Sequence, residues 1–131
     1  MIKFEIKQLD LESFKQAMNS DTPTLVKFYN PSCHLCNGLR PIFADLQQTY
    51  GDRLKFAKLN VVKHPRIAKV FKIEGVPELF VIKKDFVQQI PYPDDDIADP
   101  HCGYPKQYII DHLEKTIDIF NYMNDNMDGG C

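Results

Sequence analysis

The chain has 131 residues, 44% hydrophobic and 26% charged, which suits one globular domain able to bury its own core without disulfide staples. Sixteen basic residues against eighteen acidic ones leave a net charge of -2, and no basic stripe with interleaved aromatics is present, so the footprint of a nucleic-acid binder is missing. The opening stretch MIKFEIKQLD alternates charges instead of carrying the long apolar run of a secretory signal or a membrane span, so the expectation is a cytoplasmic protein with no membrane and no nucleic acid among its partners.

In that opening stretch Ile2, Phe4 and Ile6 alternate with Lys3, Glu5 and Lys7, the period of a strand with one buried face. Asp10 offers an N-cap to LESFKQAM, where Leu11, Phe14 and Met18 form a helical stripe. After the breaker SDTP, TLVKFY is apolar except at Lys27 and rich in β-formers, as in a strand covered on both faces. Leu35, Leu39, Ile42, Phe43, Leu46 and Tyr50 then recur at three- and four-residue steps, which predicts a long amphipathic helix with Pro41 inside it, where a missing backbone donor favours a kink.

LKFAKLNVV reads as the next strand, and HPRIAKVFKI as a short helix with its proline in the first turn. ELFVIKK and FVQQI read as strands close enough for a hairpin. The stretch PYPDDDIADPHCGYP holds four of the nine prolines and no apolar period, so it is expected to be a loop; its aspartates at 94, 95, 96 and 99 do not have the spacing of a calcium loop. From Lys106 the helical period returns through Ile109, Ile110, Leu113, Ile117 and Phe120. The expected organisation is a domain over residues 1–122 and a flexible C-terminal tail over residues 123–131.

The chemistry centres on NPSCHLCNGLRP, where Cys33 and Cys36 stand three positions apart between a strand and a helix. A cysteine at a helix start meets unsatisfied N–H groups and the positive end of the helix dipole, which favour thiolate over thiol. Cys33 holds that exposed place, and Cys36 lies one turn further in. This asymmetry makes Cys33 the attacking sulfur and Cys36 the resolving one. Zinc is the competing reading, but a structural site needs about four good ligands. The only other compact pair is His101 and Cys102, so no metal is expected.

LVKFYNPSCHLC, Pro41, FAKLNVV and the GVP at Gly75, Val76 and Pro77 occur in an order that resembles thioredoxin and its relatives, from about Phe4 to about Phe120. The resemblance implies a thioredoxin-like α/β fold, a central mixed β-sheet flanked by helices. It also implies a cis bond before Pro77, lying against the cysteine pair, with the Val76 backbone open to pair with an extended substrate segment.

The implied activity is a protein-disulfide oxidoreductase that reduces protein disulfides through Cys33 and Cys36. No cofactor is needed, because the cysteines carry the electrons. The implied partners are disulfide-containing protein substrates and an external reductase, with the chain a monomer. Disulfide oxidase or isomerase activity is an alternative, as is a binding module with secondary redox activity.

The sequence departs from the family pattern at several positions. Ser32 replaces the usual tryptophan, His34 and Leu35 fill the gap between the cysteines, and Lys27 replaces the buried acid six residues before the first cysteine. Ser32 and His34 join Val76 and Pro77 as expected substrate-binding positions. Lys27 and His34 are expected to modulate ionisation of the dithiol, and a charged Lys27 would favour its thiolates and raise the potential. A neutral Lys27 acting as base and a Lys27 paired with Glu78 are the other readings. His64 and His112 read as structural or solvent-facing, and Cys102 and Cys131 as bystander thiols.

Overall fold

The computed structural model describes residues 5–127. In chain order they form β1 (Ile6–Gln8), α1 (Leu11–Met18), β2 (Thr24–Tyr29), α2 (His34–Tyr50), β3 (Lys55–Asn60), α3 (Pro65–Val70), β4 (Glu78–Lys83), β5 (Phe86–Ile90) and α4 (Lys106–Met127). The sheet order is β1-β3-β2-β4-β5, with β1, β3 and β2 parallel and β4 and β5 antiparallel additions. This is the mixed, helix-flanked sheet expected from the sequence. Ile2, Phe4 and Cys131 lie outside the described residues, and α4 continues to Met127, past the point where the tail was placed.

Local chemistry accounts for the boundaries. Asp10 caps α1 by accepting the Ser13 N–H at 2.8 Å, while the Ser13 hydroxyl accepts the Asp10 N–H at 2.9 Å, a reciprocal pair that satisfies two orphan donors. α2 runs on through Pro41, and α3 starts on Pro65, where a missing N–H costs nothing.

Side-chain alternation along β2 assigns its neighbours to two cores. Leu25 joins Leu39, Phe43 and Leu46 of α2 and Ile109 and Leu113 of α4 on one face of the sheet. Val26 and Phe28 join Phe14 of α1 and Ile67 of α3 on the other. Phe28 sits 5.3 Å from Phe80 and 5.4 Å from Phe71, ring pairs worth about 0.5–1.5 kcal/mol each beyond their burial. Tyr50 donates to Glu114 at 2.6 Å and ties the end of α2 to α4.

Residues 91–105 are a connection, as expected, but a packed one. Tyr104 is fully buried; its hydroxyl donates to the Ile90 carbonyl at 2.9 Å and accepts the Leu79 N–H at 3.4 Å, clamping the end pair of β4 and β5. Asp99 and Gly103 form an isolated antiparallel bridge. Gly103 has φ of 73° with the Tyr92 ring against it, so both backbone and space require glycine there.

Candidate active site

β2 delivers the chain to Tyr29, and Asn30 shapes the turn that follows. Its side-chain oxygen accepts the Ser32 N–H at 2.9 Å, and its carbonyl accepts the Cys33 N–H at 3.0 Å. Cys33 is then the N-cap of α2, extended at φ -84° and ψ 123°, with Sγ accepting the Cys36 N–H at 3.1 Å. A sulfur thus takes the place usually given to a side-chain oxygen.

Cys33 is half-buried, whereas Cys36 is 2% exposed. Burial, reinforced by the Cys33 side chain, pushes the Cys36 thiol up to about 12, with the Lys27 charge opposing. At neutral pH Cys36 therefore keeps its proton. Both sulfurs are free thiols.

Lys27 lies beneath the dithiol on the face it shares with Leu25. It is 4% exposed, with Nζ 5.0 Å from the Phe43 ring and 6.0 Å from the Tyr29 ring, and it lines a cavity with Cys36. Burial first, then the Lys58 charge, lowers its pKa from 10.5 to about 8; Cys36 pulls it upward and Arg40 pushes it down. Pairing with Glu78 is ruled out by register, because Glu78 stands opposite Phe28 while Lys27 stands opposite Leu79, so the two project to different faces. Glu78 instead accepts from Gln89 at 3.1 Å.

Across from the dithiol the Val76–Pro77 bond is cis, and the Cys33 thiol donates to the Val76 carbonyl at 3.5 Å. The Val76 N–H has no partner among the described residues. Pro77 is buried, and Val76 is partly so. Gly75, Val76, Pro77, Glu78 and Tyr92 line a groove of about 220 Å³ beside the sulfurs. His34 and Ser32 are exposed at the rim, and the side chain of neither makes a hydrogen bond among the described residues. His112 packs against the Tyr108 ring on α4, with centroids 4.6 Å apart and the planes tilted by 57°. No group of three or more His, Cys, Asp or Glu side chains is placed to hold a metal among the described residues.

Two features of this region were not legible beforehand. Tyr92, 40% exposed, reaches the groove from between two prolines of the loop. Gly38, one turn past His34, is where the same loop lands on α2: a Cβ there would collide with the His101 carbonyl oxygen and crowd the Cys102 Cα at 3.3 Å. Cys102 is consequently 5% exposed, its thiol donating to the Tyr104 carbonyl at 3.4 Å, and burial raises its pKa.

Gly38→Ala should therefore destabilise the fold. The helix-propensity gain of about 0.5–1 kcal/mol is outweighed by an overpacking cost of about 1–3 kcal/mol or more against backbone. The check is denaturant unfolding together with alkylation of Cys102, which should become labelled as the loop lifts; unchanged stability and a still protected Cys102 would contradict this packing.

The chain matches the thioredoxin family over residues 5–93, a span that contains the dithiol, the cis-proline and the whole sheet. The chain belongs to the thioredoxin family. As thioredoxins are protein-disulfide oxidoreductases, membership assigns it to that class of enzyme.

A chloroplastic thioredoxin from Arabidopsis thaliana is 34% identical over 84 residues, covering 63% of this chain and 48% of the relative, so the match spans about half of that protein. Thioredoxin 1 from Nostoc sp. is 32% identical over 77 residues, covering 58% of this chain and 72% of the relative. Among solved structures, the thioredoxin of Malassezia sympodialis superposes with a TM-score of 0.70 at 20% identity, covering 88% of this chain and 93% of that one, a likeness of fold. Oxidised mitochondrial thioredoxin 3 of Saccharomyces cerevisiae gives 0.58 at 25% identity, over 63% of this chain and 78% of that one.

Proposed function

We propose that this thioredoxin-family chain reduces disulfides of protein substrates, with Cys33 as nucleophile and Cys36 as resolving thiol. The observation that carries the reading is the asymmetry of the two sulfurs: Cys33 Sγ is accessible at the helix N-cap beside Val76, and Cys36 is buried and protonated one turn below. The Cys33 thiolate attacks one sulfur of a substrate disulfide, forming a mixed disulfide and expelling the other sulfur as thiolate. Cys36 loses its proton and attacks Cys33 Sγ, forming the Cys33–Cys36 disulfide and releasing the second substrate thiol. Two electrons have passed to the substrate. An external reductase returns them, and no bound cofactor takes part.

An extended substrate segment pairs with the unpartnered Val76 N–H, Pro77 forms the floor, and Tyr92, Ser32 and His34 border the groove. Backbone pairing supplies affinity with little sequence selectivity. We place this chemistry in a monomer in the cytoplasm; no described helix is long and apolar enough to cross a membrane.

Lys27 tunes the couple. Still protonated at neutral pH, its charge favours thiolate in the dithiol, stabilises the reduced form and makes the protein more oxidising than a relative carrying an acid there. Lys27→Asp should then lower the reduction potential by about 30 mV or more, equivalent to about 1.4 kcal/mol. Equilibration in glutathione redox buffers, followed by alkylation and peptide mass analysis, tests both parts. The expected result is a two-electron couple confined to Cys33 and Cys36 whose midpoint falls in the variant. A disulfide involving Cys102 would overturn the assignment of the pair, and an unmoved midpoint would remove Lys27 from it.

A further inference from the structure

Behind the dithiol, on the side of the sheet covered by α2, lies a cavity of about 190 Å³ lined by Lys27, Lys58 and Arg40, with Tyr29, Pro31, Cys36 and Asn37 completing its wall. The β2–β3 register creates this crowding: Lys27 is paired with Lys58 on the same face of neighbouring parallel strands. Like charges so placed repel. No acidic residue lines the cavity.

Lys27, 4% exposed, has no hydrogen bond or ion pair among the described residues. Its ammonium rests on the Phe43 and Tyr29 rings, at 5.0 and 6.0 Å. The Lys58 ammonium also leans on the Tyr29 ring, at 5.6 Å, and the Tyr29 hydroxyl is turned away to donate to Gln8 at 2.7 Å. Arg40 stands exposed at the mouth with no ion pair among the described residues. A buried cation without a counterion is costly, and ring faces recover only about 0.5–2 kcal/mol of that cost.

We propose that this cavity is a binding site for a compact inorganic oxyanion of the phosphate or sulfate class, held by Lys27, Lys58 and Arg40 behind Cys36. A tetrahedral anion has oxygens enough for all three cations that line the cavity, and the Asn37 amide, on the same wall, can donate to a further oxygen. The bound anion neutralises Lys27 within the wall that also carries Cys36. If the exchange role proposed above holds, occupancy therefore weakens thiolate support for the resolving sulfur and slows release of the mixed disulfide.

The test is a titration of the reduced full chain with inorganic phosphate, followed by calorimetry and by backbone amide shifts, at constant ionic strength near neutral pH with chloride as the reference anion. Saturable binding above chloride is expected, with shifts at Lys27, Asn37 and Lys58. Lys27→Met should weaken it at least about tenfold, the loss of one buried charge-assisted contact. Arg40→Gln changes an exposed side chain, so it decides the matter if the Lys27 variant does not fold, and it should weaken binding severalfold. Phosphate indistinguishable from chloride, or equal affinity in the wild type and the variants, would overturn the site. Because the readout is binding and not turnover, a chain inert towards protein disulfides would leave this result unaffected, and an active reductase without phosphate binding would refute the site alone.

Discussion

Cys36→Ser should accumulate stable mixed disulfides with substrate proteins through Cys33, and Cys33→Ser should accumulate none. The expectation follows from placement. Cys33 Sγ is accessible and takes the Cys36 N–H at 3.1 Å, while Cys36 is 2% exposed and its pKa is pushed up to about 12, so a substrate sulfur can neither reach it nor find it ionised. Removing the resolving thiol leaves the first step intact and blocks the second. Removing the attacking thiol blocks the first. Turnover should fall to the rate of the thiol reagent alone in both variants, so trapping separates them where activity cannot. Non-reducing gels after incubation with a disulfide-containing protein give the answer, and equal trapping by the two variants would reverse or dissolve the roles.

Lys27→Met should be more stable than the wild type below pH 8, by about 3 kcal/mol, with the gap closing as pH rises towards 10.5. Burial lowers the Lys27 pKa from 10.5 to about 8, so between those values the unfolded chain holds a proton that the folded chain has lost, and folding is favoured by rising pH. Below that window Lys27 is charged in both states, and the full cost of burying the charge is present. Cys36 acts in the opposite sense: its raised pKa makes stability fall from about 9 to about 12. Without the Lys27 charge the Cys36 thiol is pushed up further, so the two proteins are compared below pH 8, where Cys36 keeps its proton in both and their difference reports Lys27. Urea midpoints there and up to pH 10.5 provide the measurement; parallel profiles would mean that Lys27 finds a countercharge or water in solution.

What could be read beforehand was whatever depends on local period and local chemistry. β2 is the six residues TLVKFY, α1 carries its Asp10 cap, and FVQQI is β5 to the residue, because alternation, capping oxygens and β-branched runs act within a few positions. The same alternation put Lys27 on the Leu25 face, where the structure has it. The other properties of Lys27 are non-local. Its pairing with Lys58 needs the order and register of two strands separated by α2, and its separation from Glu78 needs the antiparallel register with β4.

The loop at 91–105 shows the limit from the other side. Without a period it read only as a connection, yet Tyr104 and Cys102 belong to the core and Gly38 is the helix notch that admits them. Nothing in a glycine at that position tells which backbone will press on it. The groove residue Tyr92 went unseen for the same reason, since it enters by tertiary packing between Gly103 and Tyr104, 5.2 Å from the latter ring.

The central claim is that Cys33 and Cys36 together pass electron pairs to protein disulfides. Its most direct test is insulin reduction by the reduced full-length chain in the presence of a small dithiol, with precipitation of the freed chain followed over time. The account predicts many turnovers per molecule at a rate well above the dithiol alone, lost on replacing either cysteine. A rate no different from the dithiol alone would contradict it.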